Sequence, residues 1–240
     1  MPVMSDLFHT YIYLPLYNAL IYLIHTVPFA DVGLAVIALT ILVKILLLPL
    51  AYKASVMQQK MKKIAPQIEE IKAQYKDDRQ TQTLKIMELY KENNIRPLFS
   101  ILVIFAQIPV ILGLYWVFSK GGLPSINSEL LYDFVKKTVT EPNMLFLGII
   151  DMSRRSIILA VLVAITQFFA THKTMPKPEK KENPSIKDDI AHSMYFQMKF
   201  FLPVFMGFIA YSISAAVALY FIVSNLFTVV QDMVIKRLNK

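Results

Sequence analysis

Apolar residues in this chain come in long runs, and the charged ones gather between them. A helix needs roughly 20 apolar residues to cross the hydrocarbon core of a bilayer. Residues 32–52 form one such run with a single charge, Lys44; residues 97–118 form another with none; residues 156–171 are a shorter third. Residues 200–231 are also uncharged, but at about 1.5 Å per residue one helix of that length would overshoot the bilayer. The run divides near residues 211–215, where Ser212 and Ser214 interrupt it. The pattern therefore predicts five spans, at about 32–52, 97–118, 156–171, 200–212 and 215–232. The last two are short, which tilt or local thinning of the bilayer accommodates. The fold class expected is all-α, a polytopic membrane protein built as a five-transmembrane-helix bundle.

The segments between spans have patterns of their own. Met57, Met61, Ile64, Ile68, Ile71 and Tyr75 recur at alternating steps of four and three, the seam of a coiled coil. Lys76, Asp77, Asp78 and Arg79 make a turn, with Asp78 placed to cap a second helix through Leu84, Met87 and Tyr90. Residues 53–96 are thus expected to fold back as an antiparallel helical hairpin. It serves either as an engagement surface or as a solvated basic pair that packs only on itself. Residues 1–31 hold an apolar helix in which Tyr11, Asn18, Tyr22 and His25 share a face and Pro15 weakens the middle. Tyr-rich amphipathic helices favour the membrane interface, so the expectation is a helix lying on the outer surface, with a span as the alternative. Residues 175–189, rich in Pro, Lys, Glu and Asn and without periodicity, read as a mobile loop.

Composition agrees with the pattern: 55% of the 240 residues are hydrophobic and 18% charged, with a mean hydropathy of +0.48. Soluble domains are about a quarter charged, and one of this size could not hide so much apolar surface. A net charge of +8 would suggest nucleic acid on a soluble surface, but here it is confined to loops and reports topology. Residues 53–96, 172–199 and the C-terminal tail carry most of the Lys and Arg, while the opposite side has Lys120, Lys136, Lys137, Arg154 and Arg155. By the positive-inside rule the basic loops and the C-terminus are cytoplasmic and the N-terminus lies outside. The absence of Cys excludes disulfides and thiolate metal sites in this sequence, and no lipoprotein anchor is expected. Residues 1–6 lack the basic start of a secretory signal, so none is expected.

Lys44 is the most informative position. A cation within a span costs roughly 2.5–3.5 kcal/mol on insertion scales. Lys44 lies in the cytoplasmic half of its span and could snorkel, yet its side chain leans toward the helix N-terminus, away from the nearest basic loop. The five spans contain no Asp or Glu to pair with it, and Asp151 and Asp232 stand at span ends. An unpaired ammonium there has to keep its water. Polar stripes offer places for that water: Thr40 one turn from Lys44; Ser100 and Gln107; Ala160, Ala164, Gln167 and Thr171; Ser224, Thr228 and Gln231. Each stripe alone reads as helix-to-helix hydrogen bonding. Together, around one unpaired cation, they suggest a hydrated groove open to the cytoplasm.

Several short motifs recur in a distinctive order. Lys44 precedes Leu47-Leu48-Pro49-Leu50, and Ile64-Ala65-Pro66-Gln67 is followed by Tyr75-Lys76-Asp77. Arg96-Pro97-Leu98, Gln107-Ile108-Pro109 and Leu114-Tyr115 mark the second span, and Asp151-Met152-Ser153 precedes the third. The last span holds Ala218-Leu219-Tyr220-Phe221 and Ser224-Asn225. In order and spacing these resemble the YidC/Oxa family of membrane protein insertases, from about residue 30 to the end. Lys44 stands where the family usually has Arg, Phe221 where it has Trp, and Ser214-Ala215-Ala216 where it has Pro-Ala-Gly. Ser100 and Val103 replace a Gly and a Pro.

The resemblance implies an insertase of the short bacterial inner-membrane form, without a large extracytoplasmic domain. It implies no catalytic residue, no metal and no cofactor. Client transmembrane segments would pass from the cytoplasm through an amphiphilic groove, with Lys44, Thr40, Ser100, Gln107, Gln167, Thr171, Phe221, Ser224 and Thr228 as its candidate lining. The partners implied are nascent membrane proteins and the lipid bilayer, then the ribosome, targeting factors and the Sec translocon. No nucleic acid is expected beyond ribosome contact. An anion channel or transporter using Lys44 is the rival reading, although no internal repeat supports it. An intramembrane enzyme is disfavoured by the lack of a His-Glu-x-x-His or Gly-x-Ser-x-Gly motif.

Overall fold

A computed structural model describes residues 6–26, 31–96, 99–119, 123–136, 141–175 and 192–238. The longer helices are α1 (Asp6–Thr26), α2 (Val32–Gln74), α3 (Arg79–Glu92), α4 (Phe99–Ser119), α5 (Ile157–Thr174), α6 (His192–Ser212) and α7 (Ala215–Leu238). Five of these, α1, α2, α5, α6 and α7, are long and apolar enough to cross a membrane, and α4 has the apolar stretch Phe105–Phe118. The fold is an all-α polytopic membrane protein. It divides into two compact units, residues 1–45 with 109–240, and residues 46–108. The loop expected at residues 175–189 lies almost entirely outside the described residues.

Prolines shape the helices. Pro lacks an N–H and its ring collides with the carbonyl four residues back. Ahead of Pro15 the chain opens into a π-turn over His9–Tyr13, with Leu14 N–H reaching His9 O. Ahead of Pro203 it does the same over Gln197–Phe201, with Leu202 N–H reaching Gln197 O. Each widened turn lies just before its proline and makes room for the ring. Pro49 and Pro66 sit inside α2, which nevertheless runs unbroken for 43 residues, so no loop separates the first span from the hairpin arm.

In the larger unit, α5 packs against both α6 and α7. Gly207 of α6 allows close approach: a Cβ there would lie 3.1 Å from both Ala160 O and the Ala164 Cβ of α5. Ala160 and Ala164 therefore belong to a helix interface, which corrects the expectation that they line a groove. Much of the apolar surface faces outward: Ile157, Val161, Ile165, Phe201, Val204, Phe208 and Val230 are exposed, while Thr40, Thr171 and Ser224 are buried. That distribution suits lipid as the surrounding solvent.

The segments joining the helices around residues 31, 141–156 and 215–216 are tied by backbone. A small antiparallel ribbon pairs Leu145–Phe146 with Ile150–Asp151. Asp31 accepts from Leu34 N–H, capping α2, and from Leu147 N–H, both at 2.8 Å. At the start of α7, Ala215 N–H and Ala216 N–H donate to Arg154 O and Met152 O, satisfying donors that a helix start leaves unpaired. Ser153 donates to Asp151 from side chain and backbone and holds that carboxyl below the usual carboxylate range.

Helix α1 packs on residues 127–134 and on α4. Asn18 is buried, donating to Leu130 O and accepting from Tyr132 N–H, and the Tyr17 hydroxyl accepts from Asn127 N–H. Asn18 thus faces inward, contrary to the expected polar face, whereas Tyr11 and Tyr22 are exposed. Phe8 meets Trp116 edge-on, and Leu16 and Ile12 both lie over Gly113.

The smaller unit contains the hairpin. Asp78 caps α3 as expected, accepting from Gln80 N–H at 3.1 Å and Thr81 N–H at 3.0 Å. The Gln82 amide donates back to Lys72 O and Tyr75 O, and Lys60 donates to Asn93 O. The α2 half of the seam includes Ile64, which is buried. On α3 the register differs: Leu84 and Met87 are exposed, and Ile86, Leu89 and Tyr90 are the partly covered positions.

Candidate functional site

The site is built around Lys44, half-buried on α2. That helix buries Val32, Ala35, Val36, Leu39 and Val43, a stripe with steps of three and four that fixes its rotation. Lys44 follows Val43 at the edge of that stripe. Its ammonium donates to the Thr228 hydroxyl of α7 at 3.3 Å, and that hydroxyl donates in turn to Ser224 O at 2.8 Å. Among the described residues Lys44 makes no ion pair. Asp232, the carboxylate nearest in sequence to Thr228, is paired with Lys236 one turn on. Among the described residues the cation is thus held by a neutral hydroxyl, with no carboxylate paired to it.

The remaining candidates divide. Thr40 is 1% exposed and donates to Val36 O at 2.6 Å, so its hydroxyl is satisfied within its own helix. Ser224 and Phe221 lie on α7 within two turns of Thr228 and are buried. Gln167 donates to Thr171 at 3.3 Å, one turn along α5 and in line with Ala164. Lys44, Thr228 and Ser224 are therefore linked by hydrogen bonds, while Gln167 and Thr171 form a separate pair. Ser100 and Gln107 belong to the smaller unit. The Ser100 side chain lies outside the described residues, and the Gln107 Nε2 is buried without a hydrogen-bond partner among them.

One polar contact was missed by stripe reading. Asn225 of α7 donates to the Thr166 hydroxyl of α5 at 3.3 Å, and that hydroxyl also donates back into its own helix toward Leu162 O. Asn225 is conspicuous within an apolar span and belongs to the Ser224-Asn225 motif. An amide there that finds a hydroxyl on a neighbouring span is a usual form of intramembrane contact.

Residues 23–240 match a family described as 60Kd inner membrane protein. The chain is similar to the membrane protein insertase YidC of Fusobacterium nucleatum, 30% identical over 230 residues, which is 95% of this chain and 98% of that one. It is also similar to the membrane protein insertase YidC of Francisella tularensis subsp. novicida, 31% identical over 205 residues, 85% of this chain. This chain spans about a third of that relative's length, 32%.

Proposed function

The chain belongs to the 60Kd inner membrane protein family, and from that premise we propose that it is a multi-pass inner-membrane insertase that passes client transmembrane segments into the lipid. The observation that carries the mechanism is Lys44, a cation within a span whose hydrogen-bond partner is a hydroxyl. A free positive charge in a low-dielectric setting attracts Asp or Glu on a client's translocated segment. The apolar part of the client then moves sideways into lipid, driven by burial of its surface away from water. Thr228 steadies the ammonium without neutralising it, so the attraction is preserved. Phe221, Ser224, Gln167 and Thr171 fill supporting positions on α5 and α7. The step requires no bond chemistry and no cofactor.

The basic hairpin at residues 53–96 and the C-terminus face the cytoplasm on this reading, where they meet the ribosome, targeting factors or a Sec translocon. Helix α1 lies on the outer surface. Its Ile12 and Leu16 converge on one position of α4, Gly113, and its second half follows residues 127–134. Contacts gathered at the outer end of α4 support a crossing helix better than a parallel span.

The test is client charge. Lys44→Met keeps an apolar side chain of similar length and removes the cation. Insertion of a client with Asp or Glu in its translocated segment should fall at least about tenfold, equivalent to about 1.4 kcal/mol. That lies well below the ~4 kcal/mol of a close charge pair at an effective dielectric of about 20. A matched neutral client should insert as before. Equal insertion of both clients by the variant would end the electrostatic reading. Anion flux without client insertion would instead favour a channel.

A further inference from the structure

At the base of the hairpin, within the smaller unit, lies a cavity of about 820 Å³, within the ~300–1,000 Å³ typical of small-molecule sites. Tyr90, Ile95, Phe99 and Leu102 give it apolar walls, and Lys91 and Arg96 give it two cations. Among the described residues no carboxylate lines it. Helix α3 ends here in a left-handed turn: Asn94 has φ 52°, Ile95 N–H reaches Tyr90 O at 2.8 Å, and Asn94 N–H reaches Lys91 O at 3.1 Å. This closure satisfies the last carbonyls of α3, so the helix end offers few bare acceptors against an incoming anion. Ile95 is folded inward at 5% exposed, while Lys91 and Arg96 stay exposed and make no ion pair among the described residues. The two halves of the cavity also belong to different depths. Lys91 ends the hairpin, whereas Phe99 opens α4 and Leu102 lies one turn further into that apolar helix.

We infer that this cavity binds one anionic phospholipid of the leaflet on the hairpin side, with its phosphate between Lys91 and Arg96 and its acyl chain along Phe99 and Leu102. A soluble anion would satisfy the cations and leave the apolar wall bare. An apolar polypeptide segment would cover the wall and leave both cations unmatched. A zwitterionic lipid brings its own ammonium to a site that already holds two cations. An anionic lipid meets both halves, and basic pockets beside membrane helices recognise such headgroups. The inference rests on α4 being a span, not on insertase activity.

The experiment uses the full-length protein in mild detergent, with phosphatidylglycerol and phosphatidylcholine titrated separately and bound lipid counted by native mass spectrometry. One phosphatidylglycerol should bind about tenfold more tightly than phosphatidylcholine. Lys91→Gln and Arg96→Gln should each weaken phosphatidylglycerol about fivefold and leave phosphatidylcholine unchanged. Arg96→Lys keeps the charge and should bind within about twofold of the parent, which separates charge from misfolding. Lys62→Gln with Lys63→Gln removes twice the charge of either single variant elsewhere on the hairpin and should have no effect. Leu102→Ser should weaken the lipid without altering charge, and glycerol phosphate alone should compete poorly. Equal affinity for the two lipids, equal loss in the Lys62/Lys63 control, or full competition by glycerol phosphate would overturn the proposal. So would a client segment that crosslinks at Leu102 undiminished by phosphatidylglycerol. Failure of client insertion in a separate assay would leave these lipid results standing.

Discussion

Lys44 was legible because one charge in an apolar run has to be accounted for, whatever the fold. Its hydroxyl partner was only half legible. The stripe of Ser224 and Thr228 was visible as a face of α7, but periodicity cannot say which helix that face meets. The same limit explains Ala160 and Ala164, whose stripe turned toward Gly207 rather than a groove. Thr228→Val removes the Lys44 contact and nothing else of consequence, since the hydroxyl's other bond is to a carbonyl of its own helix. If Lys44 is hydrated, water takes the hydroxyl's place and stability falls by less than about 1 kcal/mol in a detergent melt. A loss of about 3 kcal/mol or more would mean a dry site in which the ammonium depends on Thr228. Lys44→Arg should retain insertion, since the charge persists on a side chain that binds carboxylates with two bonds.

Among the elements, the capped turn at Asp78 was readable because an Asx cap is a local signal. The α3 face was not. A short helix with few apolar residues supports two stripes, and the structure covers Ile86 and Leu89 while exposing Leu84 and Met87. The exposed Met87 then helps line the cavity at the hairpin base. The hairpin forms a compact unit with residues 46–108. Replacing residues 57–90 by a short flexible linker should leave a membrane-embedded protein that still melts cooperatively in detergent but inserts clients poorly. Unfolding of that variant would show that the hairpin holds the bundle together. Gly207 tests the opposite kind of contact, one made for packing alone. Gly207→Val should destabilise by about 1–3 kcal/mol through overpacking against Ala160 and Ala164, whereas a neutral effect on the melt would show that α5 and α6 can separate freely.

For the molecule as a whole, the runs of apolar residues announced spans without any tertiary reasoning, because a bilayer demands length and hydrophobicity from each helix independently. What they could not announce was the continuity of α2 from the first span into the hairpin, since an apolar run marks where a span ends and not whether its helix goes on. Nor could they separate a surface helix from a span at α1, which meets the length and hydropathy of a span while packing on residues 127–134. The proposed function is that the protein moves a client helix from water into lipid. Its most direct test is the purified protein reconstituted in liposomes and presented with a short single-span client bearing an acidic translocated tail. Protection of that tail from added protease, at levels well above protein-free liposomes, is the result predicted. A folded, reconstituted protein that leaves the tail fully digestible would contradict it.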